Sequence, residues 1–262
     1  MKITETETDE QIITRIRERF EVLDHMTTAV KDGNIRALIV TGPPGVGKSF
    51  GVENILSKQD LFDTIANRKP KYEIIKGAIS ALGLYRKLYE YSGEGNVLVF
   101  DDADGIFMDE VSLNIVKACL DTSKRRWVSW NTDSHLLRRE HIPERFEFKA
   151  GVIFITNVQF GSIKSKKLQE HLAALESRCH FIDLKMNTQH ERILRIKQIV
   201  SDGLLDDYEF PTHHEDEIVH FVMSNADKLR ELSIRTVLKA ADLKKSFADT
   251  WQKMAHVTIM KH

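Results

Sequence analysis

Apolar residues recur along the chain in two rhythms. Over the first two thirds, short unbroken apolar runs alternate with stretches of helical spacing, and past Asn187 only the helical spacing remains. The runs Ala37–Thr41, Val97–Phe100 and Gly151–Thr156 have the make-up of parallel strands covered on both faces. Tyr72–Ile75, rich in β-branched residues after the breaking pair Lys69-Pro70, and His180–Leu184 bring the predicted strands to five. Between them Ser49–Ser57, Val111–Leu120 and Lys167–Glu176 read as helices. The segment from Gly77 starts as a small-residue loop and becomes helical before Gly93. Arg125–Trp130 alternates like a short strand or one arm of a hairpin. Strands alternating with helices predict an α/β fold with a doubly wound, five-stranded parallel sheet, whose ligand sites lie at the carboxyl ends of the strands.

Ahead of this sheet, Ile12, Ile13, Ile16, Phe20, Leu23, Met26 and Val30 fall near helical spacing, giving one helix or two that end before Asp32-Gly33-Asn34. Residues Met1 to Asp9 are acidic, Thr-rich and expected to fray. Behind it, Ile193, Ile196, Ile199 and Val200, then Ile218, Val219, Val222 and Met223, then Ile234, Val237, Leu238 and Ala241 predict a small C-terminal helical domain.

Composition narrows the setting. The formal net charge of −1 supplies no global field toward nucleic acid or anionic membrane, so any such contact has to come from a local patch. Two cysteines, Cys119 and Cys179, cannot build a disulfide framework and suit a reducing cytosol. No run reaches the ~18 apolar residues of a membrane span, and the first turns do not resemble a signal peptide. A cytoplasmic location is expected, the host cytoplasm if the chain is viral.

The chemistry sits between the first strand and the first helix after it. Gly42, Pro43, Pro44, Gly45, Val46, Gly47, Lys48 and Ser49 match G-x-x-x-x-G-K-[ST], the phosphate loop, in the strand-then-helix context that motif requires. Residues without a Cβ let backbone N–H groups curl around a phosphate chain. Lys48 then brings an ammonium to the outer phosphates, the Ser49 hydroxyl is placed to ligate Mg²⁺, and the helix N-terminus adds its own donors. ATP with Mg²⁺ is the expected ligand, with Gly42 through Phe50 as contacts. Some fifty residues on, the run from Val97 to Phe100 ends in Asp101, Asp102 and, after Ala103, Asp104. The first acid fits the metal shell, shared with Ser49. The second fits the orientation and deprotonation of the attacking water. An aspartate after a strand is also an ordinary turn or cap residue, and the phosphate loop upstream tips the balance.

With these elements the chain resembles the AAA+ ATPases over most of its length. The strand-to-acid element is similar to their Walker B sequence, with Asp102 where glutamate is usual. Asn157, directly after the strand at Val152–Thr156, matches the sensor-1 position. Arg178, within Ser177-Arg178-Cys179, resembles the arginine finger of clamp-loader-type members. Arg235, in Leu232-Ser233-Ile234-Arg235, resembles the sensor-2 arginine. The wording of Lys76 to Tyr85 and of Arg126 to Asp133 is similar to small AAA-family ATPases of tailed phages.

The resemblance implies a P-loop NTPase with three parts. These are an N-terminal helical segment packed on the core (1–33), the nucleotide-binding α/β domain (34–186) and a helical lid (187–262). It also implies a homo-oligomeric ring, a hexamer being the first candidate, in which Arg178 of one subunit serves its neighbour, and a catalytic set of Asp102, Asn157 and Arg178.

The substrate stays open between a protein and a nucleic-acid polymer. Ile79, Leu82, Leu84 and Tyr85 lie where the family's pore loop falls, and their spacing equally suits helix packing. Lys124, Arg125 and Arg126 with Trp127 and Trp130, together with Arg138, Arg139, Lys164, Lys166 and Lys167, form basic clusters that either bind nucleic acid or are solvated. His171, His213 and His214 show no metal-ligand spacing. Three functions follow: a motor that remodels or threads a macromolecule, a DNA-linked helicase loader or replication accessory, and a slow-hydrolysing module whose assembly ATP gates.

Overall fold

The computed structural model describes residues 7–59, 65, 68–158, 160, 163 and 165–261. Residues 1–6 of the expected frayed terminus, Lys164 and the side chain of Lys167 lie outside the described residues. The chain divides into two compact units: Phe20–Gly42 with Lys48–Leu184, and the N-terminal stretch through Arg19 with Pro43–Gly47 and Lys185–His262. The helix that precedes the sheet is continuous, α1 (Asp9–Lys31), and contributes to both.

The first unit is built on β1 (Ala37–Thr41), β2 (Tyr72–Lys76), β3 (Val97–Asp101), β6 (Gly151–Thr156) and β7 (His180–Asp183), all parallel in the order β2-β3-β6-β1-β7. Every residue of β1, β3 and β6 is buried, which is why their sequences carry no polar alternation. Helices follow the strands in chain order: α2 (Lys48–Gln59), α3 (Ala81–Glu90), α4 (Gly105–Met108), α5 (Glu110–Cys119) and α6 (His135–Arg139). Next comes α7 (Lys166–Glu176). Phe100 and Phe154 stack across β3 and β6 with ring centroids 5.4 Å apart, and Phe107 closes on Phe154 at 5.5 Å. Gly151 is held to a hydrogen at Cα by close approach, since a Cβ there would lie 2.5 Å from Val30 Cγ1 and 3.0 Å from the Val30 carbonyl oxygen.

Two sequence alternatives resolve here. Leu84 and Tyr85 are fully buried, Ile79 and Leu82 pack against the same core, and Tyr85 Oη donates to the Pro143 carbonyl at 2.8 Å. Leu84 and Tyr85 are helix-packing positions, while Ile79, in the loop before α3, and Leu82 are partly buried against that core. The arm at Arg125–Trp130 is one side of an antiparallel pair, β4 (Trp127–Ser129) with β5 (Arg145–Glu147), in which Val128 faces Phe146. Arg126 does not belong to a basic surface. It is buried, donating to the carbonyls of Cys119 (3.1 Å) and Ala150 (3.0 Å), and desolvation holds its guanidinium below the usual range.

The second unit holds α8 (Gln189–Ser201), α9 (Thr212–Ser224), α10 (Ile234–Ser246) and α11 (Trp251–Thr258). Ile218, Val222, Val237, Ala241, Trp251 and Ala255 form its core, with Phe221 edge-on to Trp251 at 5.0 Å. Thr188 and Glu191 make a reciprocal capping box at the start of α8. Glu191 also takes Arg15 of α1 at 2.7 Å, and Arg15 reaches Glu7 at the same distance, so the head of α1 is fastened to α8.

Candidate active site

The parallel register decides what meets at the carboxyl edge of the sheet. Thr41 of β1 pairs with Thr156 of β6, and Asp101 of β3 pairs with Ile155 of β6, so the chain leaves three adjacent strands at nearly the same level. The residues that follow are Gly42, Asn157 and Asp102. Adjacent strands lie about 4.8 Å apart, so groups from the two outer strands are bridged by one side chain from the middle one.

Asn157 is that bridge. Lys48 Nζ donates to Asn157 Oδ1 at 2.8 Å and to the Gly42 carbonyl at 2.7 Å, while Asn157 Nδ2 donates to Asp102 Oδ1 at 2.8 Å. The amide orientation is fixed by its partners, because a flipped amide would set NH₂ against an ammonium and oxygen against a carboxylate. One strand position further in, Ser49 Oγ donates to Asp101 Oδ1 at 2.9 Å. Asp101 is 5% exposed, and burial pushes its carboxyl above the usual range. The Asp102 charge adds to that, while the Ser49 hydroxyl and the Lys76 and Lys48 ammoniums pull the other way. Lys76 Nζ stands 3.9 Å from Asp101 Oδ2. Asp102 has φ +52°, a left-handed conformation that aspartate tolerates better than most residues, and its N–H is tied to the Ile155 carbonyl at 3.0 Å.

The middle of the loop belongs to the second unit. Gly45, at φ +70°, accepts from the Ile234 N–H at 3.0 Å, the first residue of α10. A Cβ on Gly45 would fall 2.4 Å from Ser233 Cβ. Ser233 Oγ and Glu231 Oε1, both beside Gly45, are buried and have no hydrogen-bond partner among the described residues. Arg235, exposed, is the next residue of α10 after that anchor. Arg195, which no motif marks, has its Nε 3.5 Å from the Val46 carbonyl, and its Nη1 bonds Gln198 Oε1 at 2.8 Å. It stands among the apolar positions of α8, and only the fold turns it toward the loop. Phe50, two residues after Lys48, is 66% exposed.

Thus Gly42, Lys48, Ser49, Asp101, Asp102 and Asn157 come together, and the Gly45 segment meets the start of α10. Arg178 does not join them. It lies two residues before β7, at the amino end of a strand whose four residues put roughly 13 Å between it and the carboxyl edge. Its Nη1 donates to the Ala174 carbonyl at 2.5 Å, and its Nε is buried without a bond among the described residues. Trp127, beside the basic run, is exposed and has the Arg145 guanidinium over its ring at 4.5 Å, and Lys117 Nζ is 3.2 Å from His171 Nδ1. Burial pushes the thiol of Cys179 up to about 12 and that of Cys119 up as well.

A phosphate-type loop leaving β1, between β6 and the edge strand β7 of a doubly wound parallel sheet, with an amide and acids at the ends of the next two strands, defines the P-loop NTPase fold, here with a small C-terminal helical domain. Among solved structures the chain is similar to NtrX from Brucella abortus in complex with ATP, at TM-score 0.51 and 12% identity, over 94% of this chain and 54% of that one. The ADP complex of the same protein gives a TM-score of 0.41 at 14% identity, over 90% of this chain and 48% of that one. The chain spans about half the length of these NtrX chains. No family model matches it. It belongs to the family of the uncharacterized 36.7 kDa protein from the nrdC-mobD intergenic region of Enterobacteria phage T4. The two are 34% identical over 252 residues, covering 95% of this chain and 76% of that protein. Among the described residues, no helix is long and apolar enough to cross a membrane.

Proposed function

We propose that this protein is a Mg²⁺-dependent ATPase of the AAA+ type, working as a ring of identical copies that remodels or threads a macromolecule. The observation that carries the reading is the single hydrogen-bonded array from Lys48 through Asn157 to Asp102, with Ser49 on Asp101 beside it. These are the cation, amide, base and metal ligands that phosphoanhydride hydrolysis needs, on three neighbouring strands.

The donor set fits the metal. A hydroxyl and a carboxylate 2.9 Å apart are hard oxygen ligands of the kind Mg²⁺ takes alongside phosphate oxygens and water, so Ser49 and Asp101 would hold it. Bound there it would neutralise charge on the outer phosphate oxygens. Gly42, Gly45 and Gly47, all at positive φ, shape the cradle for the phosphates. Lys48 exchanges its bond to Asn157 for the γ-phosphate, and Arg235, at the head of the helix anchored on Gly45, is assigned to the same oxygens. Asn157, released on one side, orients water. Asp102 accepts a proton from that water as its oxygen attacks the γ-phosphorus. The bond from that phosphorus to the bridging oxygen breaks, leaving ADP and phosphate, and the proton passes from Asp102 to solvent.

Arg178 acts on the next subunit's nucleotide. It sits at the wrong end of its own sheet to act in cis, and it must leave the Ala174 carbonyl to reach out. Its guanidinium neutralises developing charge, an effect of about 10³-fold or more in rate.

The test is steady-state ATP turnover with Mg²⁺ alongside sedimentation of the particle. Wild type should turn over and assemble with ATP. Asp102→Asn should assemble and bind but not turn over, and Asn157→Ala should lose most of the rate. Turnover by Asp102→Asn at the wild-type rate would refute the assignment of the base. A second reading, a slow ATP-gated assembly module, draws on the short Asp102 side chain already committed to Asn157. Assembly with ATP at negligible wild-type turnover would favour it.

A further inference from the structure

Beyond the groups that would touch nucleotide, one acid of the same loop has a job that neither the motif nor its neighbours assign. We infer that Asp104 is the positioning residue that aims Asn157, acting through the hydroxyl of Thr156; the inference rests on the proposed assignment of Asn157.

The geometry runs through one proton. Thr156 is fully buried at the end of β6, immediately before Asn157. Its Oγ1 donates to Asp104 Oδ1 at 2.5 Å and accepts the Val158 N–H at 2.9 Å. A hydroxyl has one hydrogen, so giving it to Asp104 turns the oxygen lone pairs toward Val158. Asn157 is thereby held from both sides, by the buried β6 ladder at Thr156 and by the bonded N–H at Val158. Asp104 makes no capping bond to the short helix α4 that it precedes, so the usual use of an aspartate at that place does not account for it.

The bond also completes a clamp between two strands. The Asp102 N–H bonds the Ile155 carbonyl, Asn157 Nδ2 bonds Asp102, and Thr156 bonds Asp104, so the segment leaving β3 is stitched to the segment leaving β6 at three successive points. Of the three, only the bond to Asp104 is made by side chains that the mechanism leaves idle. Misplacing a catalytic group by an ångström costs on the order of 100-fold in rate. Asn157 must present its amide to water while Lys48 moves to phosphate, so its support has to come from behind, and Thr156 with Asp104 is that support.

Asp104→Ala should lower kcat about tenfold or more while leaving the KM for ATP unchanged. Asp104→Asn, which keeps an acceptor oxygen, should recover most of it. Thr156→Val should match the loss, Thr156→Ser should not show it, and the Asp104→Ala/Thr156→Val pair should be no worse than either alone. Amide hydrogen exchange at Val158 reads the clamp without turnover: Asp104→Ala should lose protection there, and Thr156→Ser should keep it. Unchanged Val158 protection in Asp104→Ala, or unchanged kcat in a protein that hydrolyses ATP, overturns the inference. So does an additive double variant. If wild type turns over no ATP while Val158 still loses protection, the ATPase reading falls and the link from Asp104 to the Asn157 segment stands.

Discussion

Replacing Gly45 by alanine probes the loop where its geometry is tightest. At φ +70° an alanine carries a left-handed penalty of about 1 kcal/mol or more. Its methyl would lie 2.4 Å from Ser233 Cβ, where carbon atoms prefer about 3.5–4.0 Å, so one side has to retreat by about 1 Å. Overpacking of that kind costs at least about 1 kcal/mol. The retreat lengthens the 3.0 Å bond from the Ile234 N–H to the Gly45 carbonyl, worth about 1 kcal/mol more. The low ends sum to about 3 kcal/mol, a factor of about 150 in an equilibrium constant. Titration with a fluorescent ATP analogue and urea unfolding together read where the cost falls, as weakened binding if the loop yields or as a lowered midpoint if the α10 end does. Gly33→Ala is the control. It has φ +77° with nothing within 4 Å of the added methyl, so it should cost about 1 kcal/mol of stability and leave affinity alone. Gly45→Ala with wild-type affinity and a wild-type midpoint would refute the close packing of loop and helix.

Three further outcomes follow from other parts of the molecule. Arg126→Met should destabilise the protein by about 2 kcal/mol or more in urea unfolding, because it strands the buried carbonyls of Cys119 and Ala150; an unchanged midpoint would show that water serves them equally well. Burial works against the Glu191 carboxylate, but Arg15 and the backbone N–H groups of Thr188 and Asn187 outweigh it and hold the group below its ordinary range. Its stabilising effect is therefore full above the unfolded carboxylate pKa and is lost as pH falls through the lower folded value, so Glu191→Gln should flatten the acid limb of a stability–pH curve. An identical acid limb in the variant would contradict that sign. If the copies assemble as proposed, Arg178→Ala subunits mixed with wild type should depress turnover more than in proportion to their share, and a linear dependence would end the shared-site assignment.

The sheet was legible because burial on both faces left its strands as unbroken apolar runs, which tolerate little else. Within a residue or so, Ala37–Thr41, Tyr72–Lys76, Val97–Asp101, Gly151–Thr156 and His180–Asp183 stand where the pattern put them. The strand Arg145–Glu147 was not legible. It has three residues, two of them charged, and exists because Phe146 faces Val128 across the hairpin. The same limit applied to the site. A contiguous motif such as Gly42 to Ser49 announces itself, whereas Lys48 and Asn157 meet across 109 positions because β1 and β6 are neighbours. Asp104 and Arg195 went unread for that reason, since an acid in a string of acids and a cation on a helix acquire a task only from what the fold sets against them. Arg126 shows the converse: a charge in a basic run reads as surface, and here a buried pair of carbonyls claims it.

Equilibrium titration of ATP, with and without Mg²⁺, into wild type and Lys48→Ala tests the central claim most directly. Wild type should bind at micromolar concentrations or tighter, more tightly with Mg²⁺, and Lys48→Ala should bind at least tenfold more weakly while remaining folded. Folded wild type that takes up no ATP in the presence of Mg²⁺, or a Lys48→Ala protein that binds as wild type does, would contradict it.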